Sequence, residues 1–273
     1  MSPIPRILSH VTYLVAGILV LSGCKATRVD SAWRDQVIAI DGQDQEWLNA
    51  QIIPEGQRIA LGIANDDTAL FISLRTADHA VIRQVLSFGF TVWIDSRGGT
   101  RERLGFRYPV VEDMRGMREA VRNRRMMSDE DMDHWFNAVL ANQFGIEIEG
   151  PGKGDLARLP LQNENGLEIA AGYHQGQFVY EARIPFQQSP DQEFAIRARP
   201  GRTVGIGFQT GRPDMSAMRG RGSGGMGGMP PGGGIGGLRP PGGGMGGMRG
   251  DGMRPQIQAS LEVWLKVALA EKK

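Results

Sequence analysis

The 273-residue chain has one cysteine, so no disulfide can form within it, and its fold must stand on an apolar core. Its longest apolar run, residues 11–21, is shorter than the ~20 residues a helix needs to cross a bilayer. Charge of one sign is also missing, with 31 Lys and Arg against 30 Asp and Glu. A balanced chain lacks the basic footprint of a nucleic-acid binder, so nucleic acid is not an expected partner. No nucleophile elbow, zinc signature, phosphate loop or Cys-x-x-Cys-His haem attachment site occurs, so the sequence points away from an enzyme.

What is present begins at the N-terminus. Arg6 precedes the apolar run 11–21, in the order of a secretory signal. The run ends in Leu21-Ser22-Gly23-Cys24, which resembles a lipobox, where small residues allow cleavage just before a cysteine. The resemblance implies a bacterial lipoprotein in which residues 1–23 are removed and Cys24 carries diacylglycerol, usually with an N-acyl chain. Membrane lipid is then a partner through Cys24, because two or three chains anchor stably where one is marginal. A secretory signal that merely contains a cysteine is the alternative, but lipidation also explains why an exported chain keeps one unpaired thiol. By resemblance to envelope sorting signals, Lys25 favours the outer membrane. Removing residues 1–23 costs only Arg6 among the charges, leaving 30 basic and 30 acidic residues. Residues 24–36 read as a polar tether.

Beyond residue 37 the pattern is that of strands. Leu70, Ile72 and Leu74 alternate with Phe71, Ser73 and Arg75, and Phe90, Val92 and Ile94 with Thr91, Trp93 and Asp95. Phe178, Tyr180, Ala182 and Ile184 alternate with Val179, Glu181 and Arg183, and Leu261, Val263, Leu265 and Val267 with Glu262, Trp264 and Lys266. Period-two runs mark half-buried antiparallel strands. Shorter candidates lie at 59–64, 104–108, 144–148, 167–171 and 204–208. The expected fold is all-β: an antiparallel β-sandwich, immunoglobulin-like or jelly-roll-like, over residues 37–269.

Two stretches are expected to be helical. Residues 78–88 start at a plausible N-cap, Asp78, and place Val81, Val85 and Phe88 on one face. Residues 112–143 read as a helical insertion outside the sandwich, with Ser128 capping 129–142 and Trp135 docking it. Residues 215–254 contain a decapeptide repeat, at 230–239 and 240–249, and 18 of the chain's 39 glycines fall between 220 and 252. Glycine loses much entropy on ordering and buries no side chain, so this stretch reads as a disordered loop within the domain.

Ile40-Asp41-Gly42 with Glu46-Trp47, Asn65-Asp66-Asp67 before Leu70-Phe71-Ile72, Val92-Trp93-Ile94-Asp95, and Glu181-Ala182-Arg183-Ile184-Pro185-Phe186 occur in that order. Together they resemble family-nine-like carbohydrate-binding modules, the DOMON-like group. That resemblance implies a β-sandwich binding sugars, or haem in some branches. The leading expectation is therefore a membrane-tethered, non-catalytic binding domain with a glycan as ligand. A haem or copper module is the alternative, as is an assembly lipoprotein docking an envelope protein.

Sugar rings stack on aromatic faces. Trp93 and Trp264 sit on the polar-alternating faces of their strands and are the candidate ligand-binding residues; the competing reading makes them core beneath a covering layer. Trp47 is expected to pack a turn. Asp41, Asp44, Asp66, Asp67 and Asp95 could offer oxygens to calcium, yet no dense acidic loop occurs and turn capping reads better. His79, His134 and His174 are the available haem ligands, and Met226, Met229, Met245, Met248 and Met253 could collect copper(I), although drift in a glycine-rich repeat explains them as well. No cofactor or metal is assigned. Arg115, Arg118, Arg122, Arg124 and Arg125 form the one basic cluster, read as a solvated helix face or a partner site.

Overall fold

A computed structural model describes residues 26–47, 51–110, 129–150, 155–187, 193–211 and 260–272. Cys24, the arginine cluster, Ser128 and the glycine-rich stretch lie outside the described residues, as does the side chain of Trp135.

Thirteen strands are described. They are β1 (Thr27–Asp30), β2 (Ala32–Trp33), β3 (Gln51–Ile52), β4 (Ala60–Asn65), β5 (Ala69–Thr76), β6 (Phe90–Asp95) and β7 (Leu104–Arg107). Then follow β8 (Gly145–Glu149), β9 (Leu156–Pro160), β10 (Glu168–His174), β11 (Gln177–Pro185), β12 (Thr203–Thr210) and β13 (Glu262–Ala268). One sheet runs β1-β13-β12-β6-β7-β8-β9, the other β10-β11-β5-β4-β2 with β3 also on β4. The pairings are antiparallel except β1 with β13 and β2 with β4.

The alternating apolar residues do what their period dictates. Leu70, Ile72 and Leu74 face Phe90, Val92, Ile206 and Leu265 across the sandwich, all essentially without solvent contact, in one continuous core. At about 1.5–3 kcal/mol for each fully buried large apolar side chain, this core can hold the fold without disulfides. Helix α1 (His79–Phe88) carries the chain from the smaller sheet to the larger. Asp78 caps it, accepting the backbone N–H of Ala80 at 2.7 Å, as its position in the sequence suggests. Of the expected face, Val85 is buried and Val81 packs against the core, but Ile82 and Leu86 complete it in place of Phe88. The difference is a rotation of the helix that puts the γ-branched and β-branched chains into the core.

Two expectations need correction. Residues 24–36 were expected to lie outside the domain, but 27–30 and 32–33 are strands, one in each sheet. Their short polar sequence hides this, since edge strands in a parallel pairing need no apolar alternation. Ser31 makes the switch between sheets: its hydroxyl donates to the Asn65 side chain, which also bonds the backbone of Ala270. Secondly, the helical insertion is not wholly outside the sandwich. Helix α2 (Asp129–Ala141) adds Phe136 and Leu140 to the main core, with Phe136 stacked on Tyr173 of β10 at 4.3 Å. The Asn137 side chain fixes it there by exchanging hydrogen bonds with the Tyr173 backbone.

Candidate binding face

Ladder pairing aligns Trp264, Gly207, Trp93 and Gly105 in one row across β13, β12, β6 and β7. These residues lie opposite to the core-facing set, so the row is on the outer face of the seven-stranded sheet. The two glycines decide how the tryptophans lie. A Cβ on Gly207 would stand 2.7 Å from the Trp264 ring, and one on Gly105 would stand 2.7 Å from the Trp93 ring. Each indole thus rests on the neighbouring strand's glycine. A flat ring over a glycine is the arrangement that presents an aromatic face and also shields bare backbone.

Accessibility separates the two. Trp93 keeps only 7% of its surface, and its Nε1 donates to Gln209 Oε1 at 3.0 Å. Trp264 is half-buried and is the more available ring. Next to this row runs a polar one, formed by Glu262, Gln209, Thr91, Arg107, Glu147 and Arg158. Arg158 lies 2.6 Å from Glu147, and Arg107 3.7 Å from the other oxygen of the same carboxylate. Glu149, in the tryptophan row beyond Gly105, has its carboxyl pushed up by burial. Such a face offers one stacking ring and a line of hydrogen-bonding groups.

The other sheet's outer face is occupied by the chain itself. Trp47 is buried against Gly62, and its Nε1 donates to Glu181 at 2.7 Å. Glu181 also accepts the backbone N–H groups of Gly42 and Asp41, at 2.9 and 3.1 Å. Burial pushes the Glu181 carboxyl up to about 7, against the pull of those three donors. Trp47 is thus structural, as expected from its position in a turn.

The candidate acids serve turns and ion pairs. Asp41 accepts the Gln43 N–H, and Asp44 pairs with Arg75 at 2.8 Å. Asp66 accepts from the Thr68 hydroxyl and from the N–H groups of Thr68 and Ala69; burial raises its carboxyl, but these bonds and Arg34 hold it below the usual range. Asp67 is exposed. Asp95 accepts the N–H groups of Arg97 and Arg101 and pairs with Arg103 at 3.0 Å. Among the described residues no three His, Cys, Asp or Glu side chains converge on a metal position. His79, His134 and His174 are all exposed and sit on α1, α2 and the end of β10.

A concavity of about 690 Å³ opens between the β6–β9 side of the large sheet and residues 193–197. Its floor is apolar, with Ile94, Leu104, Ile148 and Ile196, and Arg103 on its rim is engaged by Asp95. Nothing in the sequence marked this cleft, because its walls come from four separate strands.

No protein-family model matches the chain, and no curated protein matches it. Two solved structures of a family 9 carbohydrate-binding module from Caldicellulosiruptor kristjanssonii are similar. The complex with glucose has 12% identity and a TM-score of 0.32, covering 70% of this chain and 81% of that one. The complex with cellotriose has 15% identity and a TM-score of 0.35, covering 70% and 80%.

Proposed function

We propose that this chain is a lipid-tethered, non-catalytic binding domain whose ligand is a glycan held on the outer face of the seven-stranded sheet. The observation that carries the reading is Trp264 laid flat over Gly207, beside a row of paired polar side chains. A pyranose has one apolar face, which stacks on an aromatic ring, and a rim of hydroxyls, which suits adjacent carboxylates, amides and guanidinium groups. Trp93 extends the row and anchors Gln209 beside it.

The tether is part of the proposal. Acylation of Cys24 would leave three residue steps before β1 begins at Thr27, a reach of about 10 Å at ~3.3–3.6 Å per residue. The β1 edge of the large sheet would then ride close to the headgroups of an envelope membrane, which we take to be the outer one. Among the described residues no helix is long and apolar enough to cross a membrane.

Calorimetric or array screening of residues 24–273 against neutral and charged glycans tests the binding reading. Saturable binding lost in Trp264→Ala supports it. Absence of binding across the set, or binding indifferent to Trp264→Ala and Trp93→Ala, refutes it.

A further inference from the structure

We infer that the glycan bound beside Trp264 is anionic, its phosphate or carboxylate held by Arg28, Lys266 and Arg97. This rests on the binding face proposed above and names the class of ligand it takes. Arg28 and Lys266 are direct partners in the parallel β1–β13 ladder, so two cationic side chains leave one face from adjacent strands about 4.8 Å apart. Like charges placed so are destabilising unless something neutralises them. Among the described residues neither forms an ion pair, and neither does the Arg97 guanidinium.

All three line a cavity of about 520 Å³, together with Asp30, Thr203 and Ala268. The cavity thus carries three positive charges and one negative. Lys266 lies two residues from Trp264 on the same strand face, so an anion here is a neighbour of a ring stacked there.

Arg97 is held in place by a built turn. Asp95, 2% exposed, accepts the N–H groups of Arg97 and Arg101 and pairs with Arg103. The carbonyl of Gly99 rests directly on Gly205 of β12, closer than any side chain there would allow. Gly98, at φ 71°, adopts the left-handed turn conformation and sits against the Thr203 carbonyl. The missing side chain at 205 is thus what lets the turn lie down and carry Arg97 to the cavity mouth. Guanidinium forks suit planar carboxylates and phosphates, and an ammonium adds a point charge.

The test uses residues 24–273 with Cys24→Ser, which retains every described element, at low ionic strength. Glucose, glucose 6-phosphate, glucuronate and inorganic phosphate are titrated calorimetrically, and vesicles with and without phosphatidylglycerol are tested by flotation. The expected result is glucose 6-phosphate or glucuronate binding at least tenfold tighter than glucose. The gap should narrow in 0.5 M salt, as expected near ~4–5 Å of Debye screening. Arg28→Gln with Lys266→Gln should close it, while glucose binding persists. Equal binding of glucose and the charged sugars overturns the inference and leaves the glycan reading standing. Inorganic phosphate binding as tightly as the sugar phosphate, or selective flotation with anionic vesicles, overturns it in favour of a phosphate or headgroup site. No binding of any probe overturns both.

Discussion

The indole N–H of Trp47 donates to the carboxylate of Glu181 across 134 residues of sequence, fastening the turn at 41–47 to the outer face of β11. This buried carboxylate makes the smaller sheet double-sided. It also makes stability depend on pH in an uncommon direction. Glu181 titrates near 7 in the folded protein against 4.5 as a free side chain, so the folded state holds more protons between those values. Its contribution is therefore greatest near pH 4.5 and declines as pH rises to 7. The melting temperature of wild type minus that of Glu181→Gln should fall over that interval and level off above it. A signed difference that stays constant, or rises with pH, would contradict the assignment.

Tyr180 points its hydroxyl into the core, fully buried, with no hydrogen-bond partner among the described residues. Its ring meets Phe90 edge-on at 4.9 Å. Burial pushes the phenol well up, with Tyr108 adding to the effect. A buried hydroxyl left unsatisfied costs about 1–3 kcal/mol. Tyr180→Phe keeps the ring contact and removes the cost, so urea denaturation should show a gain of ~1 kcal/mol. A loss of similar size would mean the hydroxyl is satisfied.

The β10–β11 hairpin turns on Gln175 and Gly176, at φ 50° and 79°, between the paired ends His174 and Gln177. A two-residue turn with both centres left-handed prefers Asn-Gly. Gln175→Asn should stabilise the fold by about 0.5–1 kcal/mol, since asparagine tolerates this region and glutamine does so poorly. The check is thermal unfolding, and no gain, or a loss, would argue against the turn geometry.

Three tryptophans rest on glycines among the described residues, and two of these pairs have contrasting settings. A Cβ on Gly62 would collide with the Trp47 ring, which Glu181 prevents from moving. A Cβ on Gly207 would meet Trp264, which is half-buried and can lift. Overpacking costs ~1–3 kcal/mol where neighbours cannot yield. Gly62→Ala should therefore destabilise by the upper part of that range and Gly207→Ala by the lower. Chemical denaturation of both variants checks the order, and the reverse order would show that Trp264 is the more constrained ring.

For the anchor, Cys24→Ser should abolish incorporation of labelled palmitate and detergent partitioning, because acyl attachment needs the thiol. The sandwich should still unfold at its usual temperature, since β1 begins at Thr27. Wild-type protein that takes up no palmitate, with its mature N-terminus elsewhere, would dispose of the tether.

Several features were legible because they are local. The 70–74, 90–94, 178–184 and 261–267 alternations encode one apolar face each, and period two requires no knowledge of a partner. The Asp78 cap and the turn-capping roles of Asp41, Asp66 and Asp95 are likewise set within a few residues. The sequence therefore determined the central strands, their inward faces and a fold without disulfides. Tertiary structure decided what covers the outward faces. Glu181 and Phe71 read as the solvent side of their strands, yet both are buried, because residues 34–47 return to lie on them. The same holds for the candidate face: Trp93 and Trp264 have identical strand patterning, but only cross-strand pairing seats each on a glycine and leaves Trp264 the more open. Alternation reports which way a side chain points, and contacts between distant segments settle what it meets there.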